Sequence, residues 1–173
     1  ERDDPHSLSD NFVRSLFLDS KKRLWVGTRN GLNRFDYATH KFYRFLNQSQ
    51  ANAGNYITSI NETQDGSLWL GTGGGGLSQF SPDSGQSKSF VASTDKKGLL
   101  SNYINDLMVD HKGVLWIASG SSRLLPSSSN GGVNYKLPND EDFHTLPLDL
   151  DNSESAYVNS VLSLYEDQSF NLW

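Results

Sequence analysis

The chain has 173 residues, 35% of them hydrophobic and 12% aromatic, with a net charge of −5 and no cysteine. That length fits one domain, the aromatic content argues against disorder, and the missing cysteines exclude disulfides and Cys-based zinc sites. The negative charge argues against nucleic-acid binding, and no run approaches the ~18 apolar residues of a membrane helix. The opening Glu1-Arg2-Asp3-Asp4-Pro5 is not a signal peptide, so any targeting or membrane segment is expected outside these residues.

Taken in chain order, the first elements read as short strands. Val13–Asp19, Leu24–Thr28, Leu32–Asp36 and Phe42–Phe45 are rich in β-branched and aromatic residues, and Gly, Asn, Asp and Ser fill the gaps between them. Ser20–Arg23 forms the first turn. The same succession then recurs, with Asp65-Gly66 as a hairpin signal in the second unit. No segment keeps a helical period of 3.6.

The recurrence is anchored on a Leu-Trp pair: Leu24-Trp25, Leu68-Trp69, Leu115-Trp116 and Leu172-Trp173. Trp spacings are 44, 47 and 57 residues. Twelve residues before each Trp stands Val13, Ile57, Ile104 or Val161, and nine before it Leu16, Ile60, Leu107 or Leu164. Six before it stands Asp19, Asp110 or Asp167, with Thr63 as the exception. A small pair follows the Trp at Gly27-Thr28, Gly71-Thr72 and Ala118-Ser119. A 40–50 residue unit of four antiparallel strands describes a propeller blade. The expected fold is therefore all-β: a partial β-propeller of three complete four-stranded blades and part of a fourth, over 8–46, 52–91, 99–146 and 155–173. The Trp residues are expected in the core between blades, where each buries roughly 150–250 Å². The small pair lets the next blade approach.

The stretch Val13-Arg14-Ser15-Leu16-Phe17-Leu18-Asp19, with Leu24-Trp25-Val26-Gly27-Thr28 and Gly31-Leu32-Asn33-Arg34-Phe35, resembles the two-component regulator propeller repeat. The second unit repeats it as Leu68-Trp69-Leu70-Gly71-Thr72 and Gly76-Leu77-Ser78-Gln79-Phe80. The third departs at Ile117-Ala118-Ser119 and carries an insertion, and the fourth stops at its Trp. The resemblance implies a non-catalytic sensory fragment of a bacterial membrane signalling protein, a histidine kinase, hybrid regulator or diguanylate cyclase (GGDEF) protein, lying in the periplasm. It also implies a glycan as one class of ligand. An enzyme-type propeller, glycosidase or lyase, and a protein-interaction scaffold are the alternatives.

The candidate ligand contacts lie in the loops between second and third strands: Arg29 and Asn30, then Gly73, Gly74 and Gly75, then Arg123 and Asn130 in the insertion Gly120–Gly132. Loops on a rigid scaffold carry function, and insertions cluster on one face. The tetraglycine is no phosphate loop, because neither Lys-Ser/Thr nor a helix follows it. Catalytic material near the channel is thin: Arg14, Ser15, Thr58, Ser59, Asn105 and Asp106. The histidines His6, His40, His111 and His144 show no metal-ligand spacing, and His111 reads as a solvated turn residue. No metal or cofactor is expected.

The charge is uneven. Residues 1–50 hold nine basic and six acidic side chains, whereas 135–173 hold one basic and eight acidic. A half-ring showing an apolar blade face at each end invites association. A homodimer is therefore expected, with residues 1–50 of one copy facing 135–173 of another. In an intact protein, later blades would take the partner's place.

Overall fold

The computed structural model describes residues 4–45, 52–93, 97–120, 131–146 and 160–173. Three four-stranded antiparallel sheets follow one another along the chain. The first is β1 (Val13–Leu18), β2 (Leu24–Thr28), β3 (Gly31–Asp36) and β4 (Lys41–Phe45). The second is β5 (Ile57–Glu62), β6 (Leu68–Thr72), β7 (Leu77–Phe80) and β8 (Ser87–Phe90). The third is β9 (Ile104–Val109), β10 (Leu115–Ser119), β11 (Gly132–Lys136) and β12 (His144–Leu146). Each sheet is a plain meander. A fourth unit begins with the Glu166–Leu172 bridge, where Tyr165 and Trp173 exchange backbone hydrogen bonds of 3.0 and 2.7 Å. The described residues contain no α-helix, only a 3-10 turn at Asn52–Asn55.

The sheets lie face to face with their first strands side by side. The hydroxyl of Thr58 on β5 donates to the Ile104 carbonyl on β9 at 2.7 Å, and the Asn61 amide reaches the Leu107 carbonyl at 3.2 Å. On β9, Asn105 donates to the Val161 carbonyl of the fourth unit at 2.8 Å. First strands packed in this way lie innermost, which is propeller geometry.

The apolar core lies between sheets. Trp25, Leu32, Ile57, Ile60, Leu68, Leu70 and Phe80 join the first two blades, and Trp69, Leu77, Ile104, Leu107, Ile117 and Phe143 join the second and third. Trp25 and Trp69 each face the following blade, and Ile57 and Ile60, like Ile104 and Leu107, face the preceding one. The small residue after the Trp permits this approach. A Cβ on Gly27 would stand 2.7 Å from Ile57 Cγ2, and one on Gly71 2.7 Å from Ile104 Cγ2. Carboxylates add a second link between blades. Glu62 accepts from the Ser20 amide at 2.7 Å and the Ser20 hydroxyl at 2.9 Å. Glu166 does the same to His111, at 3.0 Å from its amide and 2.5 Å from Nδ1. His111, expected as a solvated turn residue, therefore joins the third blade to the fourth unit and stacks on Phe170 at 4.0 Å.

The residue six before each Trp does more than close a turn. Its side chain accepts the indole N–H: Asp19 from Trp25 at 2.8 Å, Thr63 from Trp69 at 3.1 Å, Asp110 from Trp116 and Asp167 from Trp173 at 2.9 Å each. A buried indole needs this acceptor. The same oxygens hold the turn. Asp19 Oδ1 takes the Arg23 amide at 2.7 Å, so β1 ends at Leu18 rather than at Asp19.

All four turns place the residue three before the Trp in the left-handed region: Lys22, Gly66, Gly113 and Phe170, with φ of 63°, 79°, 81° and 63°. The Asp65-Gly66 turn is thus a type I turn followed by a left-handed residue, not a two-residue hairpin. Lys22 pays a steric penalty that glycine avoids, and its side chain is exposed. Lys22→Gly is expected to raise stability by about 1 kcal/mol, read from urea denaturation. A loss of stability would show that the Lys22 side chain contributes more than its backbone costs.

Candidate functional site

Two of the loops singled out in the sequence, at Arg29-Asn30 and Gly73–Gly75, lie on one face, at the ends of the second strands. In the first blade the Arg29 amide donates to the Phe12 carbonyl at 3.0 Å, and the Asn30 amide to Thr28 Oγ1 at 3.1 Å. Both side chains are exposed, and neither has a hydrogen-bond or ion-pair partner among the described residues. Arg29 therefore presents a free guanidinium on a fixed backbone.

The tetraglycine loop is bound up by its own blade and the next. Gly73 donates to the Tyr56 carbonyl at 2.9 Å, Gly75 to Thr72 Oγ1 at 2.9 Å, and Gly76 to the Asn102 carbonyl at 2.9 Å. These amides are spent inside the protein, so the loop is no anion cradle. Gly73 has a packing role as well: a Cβ there would meet the Tyr56 ring at 2.5 Å. Arg123 and Asn130 lie outside the described residues. Their loop departs from Gly120, whose amide donates to the Tyr103 carbonyl at 3.0 Å.

These contacts expose a column that the sequence reading missed. Thirteen residues before successive Trp stand Phe12, Tyr56 and Tyr103, with Ser160 in the fourth unit. Each aromatic residue accepts, through its carbonyl, the amide four residues after its own blade's Trp: Arg29, Gly73 or Gly120. Gly73 also bridges to Tyr103 of the following blade. The innermost strands begin immediately after these residues, so this aromatic collar stands at the loop-face end of the first strands, with the Tyr56 ring against Gly73. Phe12 is 53% exposed, and Tyr56 and Tyr103 are half-buried. Neither tyrosine hydroxyl makes a hydrogen bond among the described residues. The signal for this column was available in the sequence. It is the residue just before the apolar position that anchors each first strand, on the opposite side of the chain by strand alternation.

Of the polar groups expected nearest the channel, Thr58, Asn105 and Asp106 are engaged, and Arg14 is exposed. Thr58 and Asn105 bind the next first strand, and Asp106 accepts from Ser163 Oγ at 3.1 Å and the Leu164 amide at 3.0 Å. The buried hydroxyls of Ser15 and Ser59 have no partner among the described residues, and each lies against the glycine opposite it on the second strand. Among the described residues, these inner strands bring no nucleophile, base and acid together. A cleft of about 220 Å³ opens on the opposite face, between Thr63, Asp65, Gln79 and Lys136. Its Trp69 is only 2% exposed and has already donated its indole N–H, so it offers no stacking platform.

The geometry defines the class: this is part of a β-propeller. Residues 7–30, 53–74 and 98–121, one stretch in each of the three blades, match the two component regulator propeller family. It is 32% identical over 137 residues to histidine kinase P4 of Formosa agariphila, a match covering 76% of this chain and 9% of the kinase. It also resembles the extracellular domain of a hybrid two component system from Bacteroides thetaiotaomicron, with 26% identity and a TM-score of 0.69 over 93% of this chain and 20% of that one. Virginiamycin B lyase from Staphylococcus aureus shares the fold at 13% identity, with a TM-score of 0.70 over 96% of this chain and 49% of the lyase. The chain thus spans a small part of the signalling proteins it matches.

Proposed function

We propose that this propeller segment is a non-catalytic input module of a bacterial two-component sensor, held outside the cytoplasm, that binds a small ligand on its loop face. The observation that carries this reading is the aromatic collar Phe12, Tyr56 and Tyr103 beside the unpaired Arg29 and Asn30. Aromatic rings with free hydroxyls accept the C–H face and hydroxyl rim of a sugar ring, and a free guanidinium accepts a carboxylate or sulfate. An oligosaccharide is therefore the proposed ligand class. The extracellular setting of the B. thetaiotaomicron domain and the kinase identity of the F. agariphila relative support an extracytoplasmic position and a kinase output; a diguanylate cyclase is the other output considered. The lyase likeness concerns the fold alone, and the engaged polar groups of the inner strands favour binding over catalysis.

The test is calorimetric titration of the chain with neutral and acidic oligosaccharides, repeated on Arg29→Ala, Tyr56→Ala and Tyr103→Ala. The proposal expects the collar variants to weaken binding at least tenfold with unchanged circular dichroism. It expects Arg29→Ala to weaken acidic ligands selectively. Binding that survives all three substitutions but fails on Lys136→Ala would move the site to the opposite face and overturn the assignment. Capture of a protein partner with no oligosaccharide bound would favour the scaffold reading.

A further inference from the structure

We propose that the cleft between the second and third blades is a separate ligand site, for a small zwitterion of the α-amino-acid class whose carboxylate completes a seal that this seam lacks. The neighbouring seams show what the seal is. Seven residues before the Trp, Glu62 reaches back to the turn of the first blade and accepts the Ser20 amide at 2.7 Å. Glu166, at the same position of the fourth unit, accepts the His111 amide at 3.0 Å. The third blade has Val109 there, and the turn residue equivalent to Ser20 and His111 is Gln64. Unlike its two counterparts, the Gln64 amide has no acceptor among the described residues.

Two further changes open the same seam. Phe80, paired with Leu68, packs edge-on to Trp25 at 5.6 Å; its counterpart in the third blade, paired with Leu115, is Lys136. Asp83, three residues beyond Phe80, binds Lys21 and Arg23 of the preceding turn at 2.9 and 3.0 Å. Its counterpart is the uncharged Asn139, and the places of Lys21 and Arg23 are taken by Asp65 and Ser67. The result is the cleft of about 220 Å³, lined by Gln64, Asp65, Lys136 and Asn139 among others. Its walls are the facing sides of two blades already packed together, so the cleft belongs to a formed seam.

The lining carries one charge of each sign. Lys136 Nζ stands 5.9 Å from the centre of the Trp69 ring and donates to the Asp140 carbonyl, which leaves two of its three N–H groups. Asp65 accepts from the Thr63 hydroxyl at 2.6 Å, the Ser67 amide at 3.1 Å and the Ser67 hydroxyl at 2.9 Å, which leaves one of its roughly four lone-pair sites. Burial alone would raise the Asp65 pKa, but the bonds from Thr63 and Ser67 outweigh it and hold it below the ordinary 3.8. The two charged groups form no ion pair with each other. A carboxylate turned to the Gln64 amide and Lys136, with an ammonium turned to Asp65, satisfies both at once. A dicarboxylate would instead set a second negative charge beside Asp65. The cleft is smaller than the roughly 300–1,000 Å³ of pockets that take drug-sized ligands, so the ligand is a single small molecule.

Calorimetric titration of the 173-residue chain with each of the common L-amino acids tests this, with glycolate and ethanolamine as controls that lack the ammonium or the carboxylate. At least one amino acid is expected to bind with a dissociation constant on the order of 1 mM or tighter, and both controls to bind far more weakly. Lys136→Ala and Asp65→Asn are each expected to weaken that binding about tenfold with unchanged circular dichroism. Val109→Glu, which rebuilds the carboxylate of the neighbouring seams, is expected to abolish it. Absence of binding by every amino acid would overturn the proposal, and so would glycolate binding as tightly as the best of them. Binding untouched by both Lys136→Ala and Asp65→Asn would remove the ligand from this cleft. Displacement of the amino acid by an oligosaccharide held on the loop face would show one site and not two, and would equally overturn it.

Discussion

Replacing Trp69 with alanine is expected to cost about 3–5 kcal/mol, the usual loss for a buried aromatic side chain. Trp69 is 2% exposed and packs at 5.6 Å from Phe90 and 6.3 Å from Phe143. It belongs to the cluster that includes Ile104 and Leu107 of the following blade, so its loss opens the seam and not just one sheet. The substitution also removes the indole N–H that Thr63 accepts at 3.1 Å, while the Thr63 hydroxyl keeps its bond to Asp65 at 2.6 Å. Urea denaturation of the variant provides the measurement. A cost under ~1 kcal/mol would show that the second and third blades are held by their hydrogen bonds and not by this cluster. Trp69→Phe keeps the ring contacts and is expected to lose less.

Asp19→Ala is expected to cost about 3 kcal/mol. Asp19 is 2% exposed, and its carboxylate takes the Trp25 indole at 2.8 Å, the Arg23 amide at 2.7 Å and Arg23 Nε at 2.5 Å. Alanine leaves the fully buried indole N–H without an acceptor. Blade two supplies the control: Thr63 accepts the equivalent indole with a neutral oxygen. Asp19→Thr should therefore lose clearly less than Asp19→Ala; equal losses would mean that the charge, not the acceptor, matters. The same carboxylates set the acid limit. Burial alone would raise the Asp19 pKa, but the Trp25 indole and the Arg23 amide and guanidinium outweigh it and hold it below the ordinary 3.8. Hydrogen bonds from Asn171, then Trp173, bring Asp167 from 3.8 down to about 2. Both groups favour the ionised form in the fold, so their stabilisation is complete above the unfolded value and lost as pH falls toward the folded one. Stability should fall between about pH 4 and pH 2, and Asp19→Thr should flatten part of that slope.

The sequence showed the blades because large side chains recur in register. Trp25 and Trp69, with the apolar pairs beginning at Ile57 and Ile104, are constrained by burial on both sides of a seam, and burial leaves a pattern. Strand ends were legible to within a residue, and β3 begins at Gly31 rather than Leu32. The Asp19–Trp25 spacing was visible, but its meaning was not. The bond to the indole exists only after the hairpin folds Arg23 and Trp25 back over Asp19. His111 gave no local sign of its partner, since Glu166 lies in another repeat. The collar escaped because Tyr56 and Tyr103 read as ordinary strand formers; their special placement comes from the loop amides that bind their carbonyls. Lys22 hid a left-handed turn that Gly66 and Gly113 announce openly.

Placing the core between sheets has a consequence for cooperativity. No blade of this chain encloses an apolar interior, so no blade has a private folding energy to fall back on; each is stable only as one member of a pair. The natural unit of stability is the seam, and the chain behaves as a row of coupled neighbours. Damage to one seam weakens two blades at once and leaves the third attached through the other. Amide exchange should then be slowest at β5 and β6, which are flanked by packed sheets on both sides, and fastest where only one neighbour stands guard.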